Sequence, residues 1–388
     1  MLLQRVLPKA ASRAQRHRSQ QPSMRPGNKV RTAIGLLVLA ASALVLPAQA
    51  ANEPTIGKPM YGVWPLDPAV KSLAPLDSVV TVPHWTNSFK VKDVTYNYRM
   101  VGTSPFSGSA TTTVPVQLVP LRFLFANGTE LDGSLKINAV KNSPLFMATT
   151  FSSGTTQYVD AVQRAEFWTV VNSKSPNYHL LLREPDILPA RTVMVPSNMG
   201  VQFTAAGGQQ VGLVDLDWFS AQLSRIFRTA PLSPTSLAML VDYNVFFYAN
   251  HDVRECCVLG FHGAYASSRT RINTFAFAAY SDPGLFLMED ITALSHEVAE
   301  WANNPFLSNQ VPIWANPGTN KCFSNLLEVG DPIAVLKDLS FPVPANGVTY
   351  HLQDVAGISW FAHQVPSMQQ NGKYSFTGSL ASVPGKCQ

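Results

Sequence analysis

Between residues 77 and 206, hydrophobic and polar positions alternate in short runs that are separated by turn residues. A period of two predicts β-strands. The pair Asn127-Gly128 follows one of these runs and is typical of a tight turn between antiparallel strands. Residues 157–168 alone carry apolar positions at helical spacing, which predicts one helix. The runs that predict strands are Val79–Val82, Val94–Val101, Val114–Phe125, Tyr178–Leu182, Thr192–Val195 and Val201–Thr204.

The pattern changes near Gly207-Gly208, where helical spacing becomes more frequent. Residues 217–227 predict an amphipathic helix, and the apolar run 237–248 predicts a buried strand. Two more strands, residues 257–263 and 274–280, flank a loop. We therefore expect an α+β fold, with a β-rich region over residues 51–206 and an α+β region over 207–388. The sequence shows no repeat with a period of twenty to fifty residues, so it does not predict a repeat array.

A further helix is predicted over residues 289–303. Asn303-Asn304-Pro305 ends it, because proline cannot continue a helix. The apolar residues of this segment are expected to bury one side of the helix. They are Ile291, Leu294, Val298 and Trp301.

Residues 1–50 have the composition of an export signal. They contain eight lysines and arginines and no acid, followed by an apolar run over residues 33–46 and a Pro47-Ala48-Gln49-Ala50 end. The apolar run is shorter than a membrane span requires, although an uncleaved anchor stays open as an alternative. Because the basic part is long, Met24 is an alternative start. The expected location is secreted or periplasmic, with no membrane segment after cleavage.

The net charge becomes negative when residues 1–50 are excluded. The whole chain has 29 basic and 24 acidic residues. Subtracting the eight basic residues of the leader leaves 21 against 24, a net charge of about −3. A weakly acidic remainder gives no basic patch, so we expect no nucleic-acid partner.

Four cysteines in an exported chain predict two disulfides. Adjacent cysteines seldom bond to each other. We therefore expect Cys256 and Cys257 to reach Cys322 and Cys387. A metal site built from cysteines lacks the paired spacing that such sites use.

The segment Ser295-His296-Glu297-Val298-Ala299-Glu300 carries the most specific chemistry of the chain. Residues four apart share a helix face, so His296 and Glu300 can bind one metal ion together. Glu297 would then lie beside a water on that ion and act as general base. A third ligand must come from elsewhere, and Glu328 in the segment Glu328-Val329-Gly330-Asp331 is the best downstream candidate.

Taken together, these motifs resemble the zincin metallopeptidases, in the branch with a downstream glutamate ligand. The string from Gly260-Phe261-His262-Gly263 to Glu328-x-Gly-Asp331 is also similar to exported bacterial proteins of unassigned function and to the plant exordium, or phosphate-induced, family. The resemblance covers roughly residues 256–331. It implies a zincin-like core with His296, Glu300 and Glu328 as zinc ligands and Glu297 as catalytic base.

One histidine and two glutamates leave a zinc ion less positive than the usual two histidines and one glutamate do, so the ion activates water less strongly. Oxygen-rich ligands also favour manganese or calcium, and calcium more so if Asp331 coordinates. Alternatively, Asp331 orients the ring of His296. His262 is either an additional ligand or the group that stabilises an oxyanion, a role for which Tyr265 and Tyr280 compete.

The function expected from these residues is metal-dependent cleavage of a peptide or protein substrate. The alternative is a non-catalytic extracellular module, stabilised by calcium or binding carbohydrate. Acidic residues beside tryptophans, Asp217-Trp218 and Glu166-Phe167-Trp168, are the candidates for carbohydrate contact, although such pairs are common on helix surfaces. His351 is expected to have a structural role. No nucleophile motif of the α/β-hydrolases and no phosphate-binding glycine loop occurs.

Overall fold

The structure is a computed structural model that describes Val70 and residues 78–172 and 177–387. It combines strands and helices in one unit and confirms the α+β fold class. The predicted export signal, residues 1–50, lies outside the described residues. Over the described part of the chain, no helix has both the length and the apolar character needed to cross a membrane.

Twenty-one strands and seven helices are described, together with short 3-10 turns. The strands are β1 (His84–Val91), β2 (Val94–Val101), β3 (Ala110–Val114), β4 (Val116–Phe125), β5 (Glu130–Asp132), β6 (Thr149–Phe151), β7 (Gly154–Thr156), β8 (Tyr178–Leu182), β9 (Asp186–Ile187), β10 (Arg191–Val195), β11 (Gly200–Thr204), β12 (Gln210–Asp215), β13 (Leu237–Tyr243), β14 (Val245–Tyr248), β15 (Cys256–Val258), β16 (Gly260–Ser268), β17 (Arg271–Tyr280), β18 (Gln310–Ala315), β19 (Cys322–Leu326), β20 (Ser340–Ala345) and β21 (Val348–Gln353). The helices are α1 (Ile137–Lys141), α2 (Tyr158–Glu166), α3 (Trp168–Val171), α4 (Leu216–Thr229), α5 (Thr292–Asn303), α6 (Asp331–Ala334) and α7 (Ile358–Phe361).

The largest sheet has the strand order β10-β4-β13-β17-β16, and β5 and β9 also pair with β4. Strands β10, β4, β13 and β17 run parallel, whereas β16 is antiparallel to β17. Parallel strands of this kind need cover on both faces. The continuous apolar run of β13, in which all residues but the last are buried, meets that need.

Helix α5 covers one face of this sheet at β17 and β16, and the other face packs on the cluster that contains α4. Alternation along β17 separates the two faces. Ala276 and Ala278 belong to the cluster of α5, whereas Phe275 and Phe277 belong to the cluster of α4. Since alanine side chains are small, α5 can lie close to the sheet.

One prediction about the chain near its middle needs correction. The apolar run 237–248 is two strands, β13 and β14, which belong to different sheets. Asn244 separates them, with a φ of 53° that a regular strand does not allow. The division predicted at residue 207 also passes through the largest sheet, because β4 pairs directly with β13.

Helix α5 confirms the predicted helix and its end. It stops at Asn303, immediately before Asn304 and Pro305, as the proline requires. Its start lies three residues later than predicted, because Asp290 has a φ of 44° and cannot be part of a helix. All of its residues are buried, not only the apolar side. The polar side chains of α5 therefore face the protein interior.

The disulfide pairing differs from the prediction. Cys256 is bonded to its neighbour Cys257, and Cys322 is bonded to Cys387. The expected bridge between the strand before His262 and the segment before Glu328 is therefore absent. These two parts of the chain are brought together by packing around α5 instead.

Candidate metal centre

Six ionisable side chains from three parts of the fold meet beside α5. Strand β16 contributes His262, and α5 contributes its three ionisable residues. The segment at the start of α6 contributes the remaining two acids. The cluster consists of His262, His296, Glu297, Glu300, Glu328 and Asp331, all of them buried.

Strand β16 and α5 approach closely because Gly260 lies between them. A Cβ atom at Gly260 would lie 3.0 Å from Cγ of Glu297 and 2.7 Å from the carbonyl oxygen of Phe277. Along β16, Gly260 and His262 lie on the same side of the strand because side chains alternate. The glycine thus lets His262 reach the polar residues of α5.

The donor atoms form two groups that share Glu300. In the first group, Nε2 of His296 lies 3.2 Å from Oε1 of Glu300 and 3.7 Å from Oδ1 of Asp331. In the second group, Nδ1 of His262 lies 3.3 Å from Oε2 of Glu300 and 3.6 Å from Oε2 of Glu297. Each group keeps its donor atoms within 4.8 Å of one another and could hold a metal ion.

The predicted ligands are brought together, but with a different arrangement. Glu328 lies on the side of His262, with its Oε2 atom 3.8 Å from Nδ1 of that residue. Asp331 is the acid that completes the group of His296 and Glu300. Asp331 was considered from the sequence as a possible ligand, yet the spacing of the motif pointed to Glu328 first.

The imidazole of His296 is oriented by a residue that the sequence did not single out. Its Nδ1 atom lies 3.0 Å from Oε1 of Gln353 on β21. Because an amide oxygen only accepts, Nδ1 carries the hydrogen and Nε2 faces the carboxylates. The amide of Gln353 is itself fixed, since its Nε2 atom donates to the carbonyl oxygen of Gly330 at 2.8 Å. Such an acceptor behind a histidine is typical of metal ligands.

His262 is held in the same way. Its Nε2 atom lies 3.2 Å from the backbone carbonyl oxygen of Asn304, so Nε2 carries the hydrogen. Nδ1 then faces Glu297, Glu300 and Glu328. With both nitrogens engaged in this manner, the geometry favours His262 as a ligand over a role in stabilising an oxyanion. Asn304 also donates from Nδ2 to Oε1 of Glu328 at 3.1 Å.

One carboxylate oxygen of the cluster has no hydrogen-bond partner. Oε2 of Glu297 is buried and accepts no hydrogen bond, although it forms a long ion pair with Nδ1 of His262 at 3.6 Å. Its other oxygen lies 3.9 Å from Nε2 of His296. An unpaired buried carboxylate oxygen costs free energy unless another group or ion satisfies it.

Charge and burial act against each other in this cluster. Burial lowers the pKa of His296, but the carboxylates of Glu300 and Glu297 outweigh it and raise the pKa to about 10. Burial acts to lower the pKa of His262 as well. The negative charge of Glu328, followed by the glutamates of α5, outweighs burial, so the pKa of His262 lies well above its usual range. Glu300 accepts from both histidines, so its pKa is lowered despite burial.

The remaining carboxyls behave differently. Burial, reinforced by the negative charge of Glu300, holds the pKa of Glu328 and of Asp331 well above the usual range. Burial also raises the pKa of Glu297, although the positive charge of His296 opposes it. These shifts favour bound protons, which a metal ion would have to displace in order to bind here.

Residual exposure is unequal across the cluster. The side chains of His296, Glu297 and Asp331 are 7%, 6% and 6% exposed, whereas His262 and Glu328 are 2% and 3% exposed. His262 and Glu328 are thus the most deeply buried members of the cluster.

Other candidates from the sequence lie in different surroundings. Tyr265 stacks on Phe227 with ring centroids 4.1 Å apart, and Tyr280 lies beneath the ammonium of Lys136 at 5.0 Å. His351 pairs through Nδ1 with Asp290 at 2.7 Å, which agrees with a structural role. Glu166 is buried and accepts from the backbone nitrogen of Ile358, so it is not available for carbohydrate contact.

A third group of possible donors was not predicted. Asp215, Asp217 and His251 lie close enough together to hold an ion, but the last two are largely exposed. Asp215 caps α4 by accepting from the backbone nitrogen of Trp218 at 2.9 Å, and it pairs with His251. The cap and the ion pair account for this arrangement without a metal.

No family model matches the chain, and neither a curated protein nor a solved structure matches it. The similarity to zincins and to the exordium family therefore stays a prediction. Function is inferred below from the geometry of the cluster.

Proposed function

We propose that this protein is an exported metal-dependent hydrolase that cleaves peptide bonds, with its centre at the buried cluster on α5. The single observation that carries the proposal is the unpaired oxygen of Glu297, which is buried between two oriented histidines. Its contact within the cluster is a long ion pair with Nδ1 of His262 at 3.6 Å, and no hydrogen bond satisfies it. A general base needs a free oxygen that faces the reacting water.

His296, Glu300 and Asp331 would hold the ion on the more exposed side of the cluster. A divalent ion there polarises a carbonyl group and makes a bound water more acidic. Glu297 takes the proton of the attacking water and later delivers it to the leaving amine. Gln353 keeps the ring of His296 in place throughout, and Gly330 donates from its backbone nitrogen to Oε1 of Glu300 at 3.0 Å.

Zinc is the ion that we propose first, with manganese as the alternative. Calcium takes six to eight oxygen ligands and seldom uses imidazole. The cluster offers two imidazole nitrogens, His262 and His296, and imidazole is a preferred ligand of zinc. The carboxylates that surround them are equally suitable for manganese.

The burial of the cluster favours a second candidate, a metal ion that only stabilises the fold. None of the six side chains is more than 7% exposed, so the cluster is enclosed by protein on all sides. In this case the ion would join β16, α5 and the start of α6 without catalysis. Measurements of binding and of cleavage on the same samples separate the two candidates.

The test is peptide cleavage by the metal-loaded protein, with Glu297→Gln as the variant. We expect cleavage that is abolished by a chelator and restored by zinc or manganese. Glu297→Gln should bind metal but cleave at least about a hundredfold more slowly, because the base is lost. If the protein binds metal but shows no chelator-sensitive cleavage, the hydrolase proposal is wrong and the proposal of a structural metal ion is favoured.

Glu289→Gln serves as the matched control, since Glu289 is a nearby acid that pairs with His351 outside the cluster. It should cleave at the wild-type rate. Equal losses in both variants would indicate a general loss of structure instead of the loss of a base.

A further inference from the structure

We infer that the cluster holds two divalent metal ions, bridged by Glu300, and not the single ion of a zincin. This inference rests on the proposed metal centre and deepens it. One ion would be bound by His296 and Asp331, the other by His262 and Glu328. Glu300 would bind both ions, with one oxygen on each.

The positions of the two Glu300 oxygens point to this arrangement. Oε1 faces Nε2 of His296 at 3.2 Å, and Oε2 faces Nδ1 of His262 at 3.3 Å. In a carboxylate that binds one ion through both oxygens, both oxygens lie near the same neighbouring ligands of that ion. Here each oxygen lies with a different imidazole, as in a carboxylate that bridges two ions.

The spacing between donors on each side suits a shared ion. Two atoms bound to one ion at about 2.1 Å lie roughly 3.0 to 3.6 Å apart, depending on the angle at the metal. The distances from His296 to Glu300 and Asp331 are 3.2 and 3.7 Å. Those from His262 to Glu300 and Glu328 are 3.3 and 3.8 Å. Both sets approach the expected range, and neither side is better formed than the other.

Both imidazoles are prepared for coordination independently. His296 donates through Nδ1 to Gln353, and His262 donates through Nε2 to the backbone of Asn304. Each residue therefore directs a lone pair at the acids once its second proton is displaced. A single ion bound by one histidine would not account for the matching orientation of the other histidine.

The formal charges agree with two ions. Glu297, Glu300, Glu328 and Asp331 are four buried carboxylates. With all four ionised and both imidazoles neutral, one divalent ion would leave two negative charges in the interior, and protons on His262 or on the carboxyls would have to balance them. Two divalent ions balance the four carboxylates.

Glu297 is the one acid that this arrangement leaves unbound. Its Oε2 atom has no hydrogen-bond partner, and at 3.6 Å it lies slightly nearer to Nδ1 of His262 than the Oε2 atom of Glu328 does, at 3.8 Å. Glu328 is therefore assigned as the ligand and Glu297 as the base by their roles, not by distance. Because Glu297 lies between His262 and His296, it would be available to take a proton from a water at such a centre. Pairs of ions about 3.5 to 4 Å apart stabilise attacking and leaving oxygens in hydrolytic enzymes.

The experiment is a determination of metal content on the full chain, purified without chelator and then equilibrated with zinc or manganese. The variants His262→Ala and His296→Ala each remove one ligand of one ion. His251→Ala is the matched control, because it disrupts the exposed group with Asp215 and Asp217 and leaves the cluster intact. Circular dichroism and thermal unfolding establish that each variant is folded.

We expect two equivalents of metal in the wild type and in His251→Ala, and fewer than two in both cluster variants. If the wild type and His251→Ala both bind one equivalent of metal, the proposal of a second ion is wrong, but the proposed hydrolase is not contradicted. If the wild type binds two equivalents of metal and His251→Ala binds one, the two-ion cluster is also wrong, because the second ion would then lie at the surface beside His251. No bound metal would overturn both proposals.

Electron paramagnetic resonance of the manganese-loaded protein provides a second readout that does not depend on variants that fold poorly. Two ions joined by one carboxylate are close enough for their spins to couple. We expect a coupled spectrum in the wild type and its loss in Glu300→Gln. Two equivalents with only the spectrum of isolated ions would contradict the bridge.

Discussion

Gly330 brings the backbone so close to the ring of His296 that no side chain fits between them. A Cβ atom at this position would overlap Nδ1, Cε1 and Cγ of the imidazole. The same residue donates to Glu300 from its nitrogen and accepts from Gln353 at its carbonyl oxygen. A glycine in the Glu328-x-Gly-Asp331 segment is thus required by the contact with the ring of His296, since its φ of −80° would suit any residue.

The variant Gly330→Ala is expected to lower metal affinity about tenfold to a hundredfold, because the displaced ring loses its contact with Gln353. Competition with a fluorescent chelator measures the affinity. Gly385→Ala is the control, since a Cβ atom there meets nothing within 4 Å. Unchanged affinity in Gly330→Ala would mean that the ring of His296 is not part of the metal centre.

Glu166 is a buried acid that affects the pH dependence of stability away from the cluster. Burial raises its pKa to about 8, although the backbone nitrogen of Ile358 donates to it and opposes the shift. Between the ordinary value of 4.5 and about 8, the folded protein holds a proton that the unfolded chain has lost. Stability is therefore expected to fall as pH rises through this window, by roughly 1.4 kcal/mol for each pH unit at most.

In Glu166→Gln this contribution should be absent, so the variant becomes more stable relative to the wild type between pH 5 and pH 8. Free energies of unfolding from urea titrations at several pH values measure the difference. Glu184→Gln is the control, because Glu184 is exposed and its pKa is lowered by Lys141. A constant difference between Glu166→Gln and wild type over the whole window would contradict the raised pKa.

The limits of prediction are clearest for single residues. His296, Glu297 and Glu300 could be found because their spacing of one and four places them on one helix. His262, Glu328 and Asp331 could be proposed as neighbours of the helix but not assigned to sides of the cluster. Gln353 gave no signal at all, because an isolated glutamine 57 residues beyond His296 looks like any other polar residue of a strand.

Among the helices and strands, α5 is the element that carries most of the cluster. It is surrounded by β2, β16, β17, β21 and α2, so its polar side is enclosed as fully as its apolar side. Hydrophobic periodicity predicts which face of a helix is buried, and here it predicted only one face. The burial of polar residues against other polar residues leaves no such periodic signal, so full enclosure could not be foreseen.

Several strands were predicted to the residue, including β2 and β8, because their alternation is regular and turns bound them. The partners of those strands were not predictable. The parallel pairing of β4 with β13 joins residues more than one hundred positions apart, and nothing local encodes it. The same limit applies to the cysteines, where the pairing of Cys256 with Cys257 went against the general preference.

Trp301 anchors α5 to the largest sheet. It is fully buried, and its indole nitrogen donates to Oγ1 of Thr274 at 2.8 Å. Trp301→Ala is expected to lower the free energy of unfolding by about 3 to 5 kcal/mol, because it leaves a cavity and an unpaired hydroxyl. Urea unfolding followed by circular dichroism measures the loss.

Arg225→Ala, on the exposed side of α4, is the control and should change stability by less than about 0.5 kcal/mol. A loss in Trp301→Ala no larger than that of the control would show that α5 is not packed as described.

At the scale of the whole molecule, the bond between Cys322 and Cys387 fixes the end of the chain to β19. It closes a loop with a sequence separation of 65. The loop contains α6, β20, β21 and α7, and therefore both Asp331 and Gln353. A constraint on the unfolded chain of this length is worth about 4 kcal/mol if chain entropy dominates.

The double variant Cys322→Ala/Cys387→Ala is expected to lower the free energy of unfolding by about that amount, since neither residue is buried and no cavity forms. Thermal unfolding under non-reducing conditions measures the change. A variant as stable as the wild type would show that this bond does not constrain the unfolded chain.

Anomalous X-ray diffraction from crystals of the protein equilibrated with zinc tests the metal centre most directly, because it locates ions without any variant. We expect two anomalous peaks about 3.5 to 4 Å apart beside Glu300, one next to His296 and one next to His262. The absence of anomalous density among these residues would contradict the metal centre itself.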